Sequence, residues 1–397
     1  MSSPLAALGN SIGRVGGVLD GLRVVEVAAF IAAPLAGTTL AGLGAEVIRV
    51  EQRGGGIDAQ RWPVHAGRSL YRAGLDRGKR SLTIDLRSDR GQALVTELVC
   101  GGGPDGGILI TNLAARGWMA YERLRERRPD LVMVVVKGTA AGRSAVDYTV
   151  NAGIGFPLIT GSPGADGPVN HVLPAWDIAT GVLVATAVLA AERRRRLTGI
   201  GSLVEVALAE VAVEMARSLG YLAEAELVAE PRGRFGNDLY GSYGRDFRTG
   251  DGRHVMVCAL TARQWQSLQE ATGIGSAVAD LESATGIDLA DEGERFRHRA
   301  AISELVGTWI GERPLTEVAA AFDHHEVLWG PYRTFKELVQ EPSVQAEPAS
   351  PLRFIGDPEQ QARPAPEIGA DTEMVLRDEL GLAPTAIAEL RAAGVID

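Results

Sequence analysis

Apolar residues follow two different periods along the first third of the chain. Short β-rich runs at 22–27 (Leu-Arg-Val-Val-Glu-Val) and 45–51 (Ala-Glu-Val-Ile-Arg-Val-Glu) flank a helical pattern at 34–44, with Pro34 in its first turn and Gly44 at its end. Strand, helix, strand with short links is a βαβ unit, which requires a parallel sheet. The pattern recurs, with predicted strands at 81–85, 107–111 and 131–136 and a helix at 89–100. Together these predict a doubly wound, Rossmann-like α/β domain. Two long helical patterns follow at about 178–197 and 203–228. The first ends in Glu192-Arg-Arg-Arg-Arg196, which reads as a solvated helix end complementing the dipole. Residues 235–260 read as strand, turn and strand around Asp251-Gly252, and helical segments fill 262–325. A Pro-, Ala- and Glu-rich connector at 341–370 leads to a closing helix pair at 372–380 and 384–393.

Length and composition refine this picture. The 397 residues exceed one ordinary core, so two domains or one large domain with an insertion are expected. The longest apolar stretches are broken by Gly, Pro or charge before reaching the roughly 18 to 20 residues of a membrane helix, so no membrane partner is expected. The amino terminus lacks a basic region followed by an apolar one, so no secretory leader is expected either. Cys100 and Cys258 lie far apart and read as reduced thiols of a cytoplasmic protein. A formal net charge of -10 argues against nucleic acid as a partner, while leaving room for a local basic pocket.

The candidate chemistry is narrow. The His residues are scattered, and His324 and His325 are adjacent, so on a helix they point about 100° apart and do not suggest a metal site. There is no Gly-x-Ser-x-Gly elbow and no P-loop, and Gly54-Gly-Gly56 lacks dinucleotide spacing and reads as a turn. Arg53, Arg61, Arg72, Arg77, Lys79 and Arg80 cluster around predicted strand ends, and Asn112 and Lys137 each follow or close a strand. Ligands of open α/β sheets bind outside the strands' carboxyl ends, so these residues are candidates for one anionic ligand, a solvated basic loop being the alternative. A last feature is the lone carboxylate of Asp177, reached through Asp147, Asn151, Gly155 and the run Val169-Asn-His-Val-Leu-Pro-Ala-Trp-Asp177. It reads either as a covalent nucleophile or as the N-cap of a helix starting at Ile178.

In order and spacing these motifs resemble the family III CoA-transferases over nearly the whole chain. The residues that carry the resemblance are Gly78-Lys-Arg-Ser81, Thr111-Asn112, Val136-Lys-Gly138, Asp147, Asn151 and Asp177, then Gly236-Asn237, Tyr243-Gly244, Trp265 and Pro366-Glu-Ile-Gly369. The resemblance implies a large Rossmann-like CoA-binding domain (1–200), a linking helix (201–228), a small α+β domain (229–328) and a return to the large domain (329–397). It implies two subunits threaded through each other as an interlocked homodimer. It also implies an acyl-CoA substrate, with CoA present only as part of the thioester, no permanently bound cofactor and no metal.

On that resemblance Asp177 is the catalytic residue. Arg53, Arg77, Lys79, Arg80, Asn112, Leu113 and Lys137 are the expected CoA contacts. The family's racemases place a His immediately before the position of Asp147 and a Glu in the small domain. Here those positions hold Val146 and Thr261, neither of which is a base near neutral pH, so transfer chemistry is expected. Arg61-Trp-Pro-Val64, the run ending in Asp177, and Leu239-Tyr-Gly-Ser-Tyr-Gly-Arg-Asp-Phe247 resemble family members that move CoA between the two carboxyls of one C5 dicarboxylate. The second carboxylate then needs partners, for which Arg61, Asn151, His171 and Arg245 are candidates. Transfer between separate acids, and thioester binding without turnover, remain the alternatives.

Overall fold

The computed structural model describes residues 17–230, 232–358 and 360–397. The stretch 1–16, read above for a leader, lies outside the described residues. Within these bounds the chain forms two compact units, one from residues up to 154, 171–224 and 347–397, the other from 155–170 and 225–346.

The first unit is built on a six-stranded parallel sheet. Its strands run in the order Arg80–Thr83, Glu46–Glu51, Arg23–Val27, Ile108–Thr111, Val132–Lys137 and Ser202–Ala207. The central strands are buried on both faces, which explains their continuous Val and Ile runs. One face is covered by Asp89–Cys100, Thr372–Leu380 and Pro384–Ala392, whose Leu94, Leu98, Val375, Leu376 and Leu390 join Val25, Ile48 and Leu109 in one core. On the other face lie Ala32–Gly42 and Ala175–Thr198, packed against each other. Gly181 permits that approach: a Cβ there would lie 2.8 Å from the carbonyl oxygen of Ala32 and 3.0 Å from Leu35.

Three expectations change. Residues 203–228 are not one helix, because Ser202–Ala207 is an edge strand in register with Val132–Lys137, and helices Leu208–Ser218 and Tyr221–Leu227 follow. Its Leu-Val-Glu-Val core suits a strand, and no Gly or Pro separates it from the helix. Ala175–Thr198 is long and apolar enough to cross a membrane by composition. In the fold its Thr180, Gly181, Val184, Ala185 and Val188 are buried. The arginine run at its end is only partly solvated: Arg195 is buried, pairs with Glu192 and donates to the Gly106 carbonyl.

A set of charges lies buried at the side of the sheet. Arg49 donates to Glu26 at 3.0 Å, Asp76 at 3.0 Å and Asp58 at 2.9 Å. Lys79 donates to Glu26 at 2.8 Å and to the Pro34 carbonyl at 2.8 Å, and Arg72 grips Glu51 with Nε and Nη2. Burial pushes the Glu26 carboxyl above its ordinary range, with Lys79 and Arg49 opposing. Gly37 leaves room for this set, since a Cβ there would overlap Glu26 Oε2. Such groups hold together only as a complete set, because removing one partner strands a buried charge.

The second unit contains a three-stranded antiparallel sheet, ordered Leu328–Pro331, His254–Ala259, Tyr243–Arg248. Helices Ala262–Thr272, Arg299–Gly311 and Leu315–His324 share a core with it through Tyr243, Val255, Trp265, Ile302 and Phe322. Strand Leu328–Pro331 stays with this unit, and the chain rejoins the first at Glu347. Thr261, the position of the racemases' Glu, caps helix Ala262–Thr272 by accepting from the Gln264 amide.

Candidate active site

A cavity of about 1000 Å³ lies in the first unit, lined by residues that follow or end four strands of the parallel sheet. Phe30 and Ile31 follow Arg23–Val27, Asn112 and Leu113 follow Ile108–Thr111, Lys137 ends Val132–Lys137, and Leu208 follows Ser202–Ala207. This is the carboxyl edge, where open parallel sheets bind ligands. Arg61, Tyr71, Arg143, Val146, Asp147 and Asp177 also line the cavity.

Asp177 is the third residue of helix Ala175–Thr198, whose N-cap position is Pro174. It is therefore not the N-cap, and Pro174 has no side-chain donor or acceptor to serve as one. The cap comes from elsewhere in the chain. Asp147 Oδ2 accepts from the amides of Trp176 at 2.7 Å and Asp177 at 3.1 Å. Its Oδ1 meets His171 Nε2 at 2.8 Å. Because Asp147 satisfies the helix end, the Asp177 carboxylate stays available, and among the described residues it accepts no hydrogen bond. Burial, with the like charge of Asp147 adding and Arg61 opposing, pushes the Asp177 carboxyl up to about 6.

The expected site residues separate into three groups. Arg61, Asn112, Leu113, Lys137 and Asp177 share the cavity. Asn112 also latches the loop before Phe30, accepting from the Ala29 amide at 3.1 Å and donating to its carbonyl at 2.6 Å. Lys137 pairs with Glu205.

Asn151 and His171 support the nucleophile segment and do not line the cavity. Asn151 is buried and accepts from the Trp176 indole at 3.1 Å, and His171 is engaged with Asp147. Arg77, Lys79 and Arg80 do not join the cavity, because they lie before or at the start of strand Arg80–Thr83, at the sheet's amino edge. Lys79 is buried among Glu26, Asp76 and Pro34, and Arg80 pairs with Glu46 and Glu379. Arg53 pairs with Asp397 at 2.9 Å, away from the cavity. Arg245 lies in the second unit on strand Tyr243–Arg248, facing Asp238 at 3.6 Å.

Sequence reasoning did not single out Phe30, Tyr71, Asp58 or Arg143. Phe30 lies three residues past the end of a strand, which is a usable signal. Arg143 sits in a short polar loop after Lys137, another strand-end position. Among the described residues, no group of three His, Cys, Asp or Glu side chains is placed to hold a metal ion.

An open parallel sheet with a cation-bearing cavity at its carboxyl edge and one free carboxylate suits covalent chemistry on an anionic, cofactor-sized substrate. Residues 19–372 match the model of CoA-transferase family III. The chain is 46% identical to a 2-methylfumaryl-CoA isomerase of Chloroflexus aurantiacus, covering 96% of this chain and 98% of that protein. It is 29% identical to a succinyl-CoA–D-citramalate CoA-transferase of the same organism, covering 95% and 98%. A solved CaiB/BaiF family protein from Brucella suis superposes with a TM-score of 0.74 at 25% identity, covering 91% of this chain and 99% of that one. The chain belongs to CoA-transferase family III.

Proposed function

We propose that this protein moves CoA between the C1 and C4 carboxyls of mesaconate (2-methylfumarate), acting as an intramolecular CoA-transferase through Asp177. The observation that carries the reading is the free, cavity-lining carboxylate of Asp177 in a chain 46% identical over 96% of its length to a 2-methylfumaryl-CoA isomerase.

The chemistry follows from that carboxylate. Asp177 Oδ attacks the C1 thioester carbonyl, the C–S bond breaks, and a mixed anhydride and CoA thiolate result. The thiolate attacks the aspartyl carbonyl, giving an aspartyl-CoA thioester and the free diacid. The C4 carboxylate then attacks the aspartyl thioester, releasing thiolate and forming a new anhydride. Thiolate attack on its C4 acyl carbonyl yields the C4 thioester and restores Asp177. A covalent intermediate divides one difficult exchange into easier steps. A carboxyl pushed up to about 6 still ionises around neutral pH and is a more basic nucleophile than an ordinary aspartate. The position of Asp177 in the first turn of a helix favours its charged form.

Lys137 and Arg143 supply positive charge for the CoA phosphates, and Asn112 and Leu113 line the CoA path. Arg61 is the partner of the second carboxylate, a role that suits its guanidinium fork. Retention of the free diacid while it reorients makes transfer effectively unimolecular. The family resemblance further supports a cytoplasmic, interlocked homodimer. The test is to incubate mesaconyl-C1-CoA with the enzyme and no added acid. Formation of the C4 thioester is expected; a strict requirement for an added acceptor would point to transfer between separate acids.

A further inference from the structure

Asp58 is almost fully buried beside the cavity and serves three partners drawn from different parts of the first unit. Both its oxygens accept from the Phe30 amide, at 3.3 and 3.1 Å. Oδ2 also accepts from Arg49 Nη2 at 2.9 Å, and Oδ1 faces Arg61 Nε at 3.4 Å. Phe30 needs that support, because its φ of 68° is in the left-handed region that a non-glycine residue seldom adopts. Its ring in turn carries Arg61, whose guanidinium carbon lies 4.5 Å from the Phe30 centroid and 5.0 Å from that of Tyr71. One carboxylate therefore sets both the ring and the cation of a Phe30–Arg61–Tyr71 stack in the cavity wall.

We infer that Asp58 is a positioning residue that fixes Arg61 for recognition of the substrate's second carboxylate. The inference rests on the proposed role of Arg61. The contact through Nε holds the guanidinium in place and leaves Nη donors to face the substrate carboxylate. Arg49, buried and shared with Glu26 and Asp76, anchors Asp58 from behind, so that Asp58 does not follow Arg61 when a ligand arrives. Pre-set side chains of this kind raise affinity by removing the ordering cost of binding.

The sign of the effect separates positioning from simple charge balance. If Asp58 only neutralised Arg61, removing its charge would strengthen binding of an anion. If it positions Arg61, removing it weakens binding. The experiment titrates mesaconyl-C1-CoA and methacrylyl-CoA, which lacks the second carboxylate, into Asp177→Asn protein by calorimetry, with and without Asp58→Asn. Asparagine keeps an oxygen for the Phe30 amide; Asp58→Ser serves if the first variant does not fold. Expected is a preference for the mesaconyl thioester that falls about ten-fold on Asp58→Asn, with methacrylyl-CoA affinity unchanged. Arg61→Gln should abolish the preference, and adding Asp58→Asn to it should cost nothing more. A preference that survives or grows in Asp58→Asn, or losses that multiply in the double variant, would overturn the role of Asp58. No preference in the parent protein would instead contradict the dicarboxylate reading itself.

Discussion

Asp147 accepts the backbone amide of Asp177 at 3.1 Å through the oxygen that also takes the Trp176 amide. One carboxylate thus caps the helix so that another remains reactive, and its charge helps hold the second one's proton affinity high. Asp147→Asn keeps an acceptor for the amides and removes the charge. The expected result is a kcat lower by up to about ten-fold, because a less basic Asp177 carboxylate is a weaker nucleophile, with the protein still folded. Steady-state kinetics beside a thermal melt checks both.

The pH dependence of that pair has a definite sign. Asp177 acts as the carboxylate, so kcat/KM rises with pH and levels off above about 6. The like charge of Asp147 is one cause of the raised value, so in Asp147→Asn the acid limb moves to lower pH. A pH–rate profile of the two proteins shows this shift. An unmoved limb would assign the shift to burial alone.

Two lysines that the sequence offers alike as CoA contacts should fail in different ways. Lys79 is fully buried against Glu26 and Asp76, so Lys79→Met should destabilise the fold by about 3 kcal/mol or more. Lys137 lines the cavity, so Lys137→Met should leave the melting temperature close to that of the parent and raise KM for the CoA thioester about ten-fold. Denaturant titration and kinetics of both variants distinguish them.

Val146 lines the cavity where the family's racemases carry a His, and Thr261 is occupied as a helix cap. With a 2-methylacyl-CoA in heavy water, no deuterium should enter the α-carbon. Mass spectrometry of recovered thioester is the check, and wash-in at a rate matching turnover would contradict transfer as the chemistry.

Much of this was legible in the residues alone. Lys137, Asn112 and Leu113 sit at the ends of apolar strands, and strand ends mark the ligand edge of such a sheet. Asp177 stood out as a lone carboxylate closing the run 169–177 just before a long helical pattern. Other features were hidden for physical reasons. Arg77, Lys79 and Arg80 lie near Arg61 in sequence, but a parallel strand carries its two ends to opposite edges, and they lie before or at the start of theirs. Strand Ser202–Ala207 runs into helix Leu208–Ser218 without a breaking residue, so the two periods merged. His171 and Asn151 have the right chemistry for a ligand, but their partners, Asp147 and Trp176, appear only in three dimensions. Asp58 was invisible for the same reason, since Phe30, Arg49 and Arg61 come from three separate segments.

On this account Asp177 carries first the acyl group and then CoA. The most direct measurement is peptide mass spectrometry after incubation with mesaconyl-C1-CoA and trapping with hydroxylamine or borohydride. A hydroxamate or a reduced side chain at Asp177, absent with Asp177→Ala and absent without thioester, is the expected result. An unmodified Asp177 in protein that turns over, or activity that persists in Asp177→Ala, would contradict it.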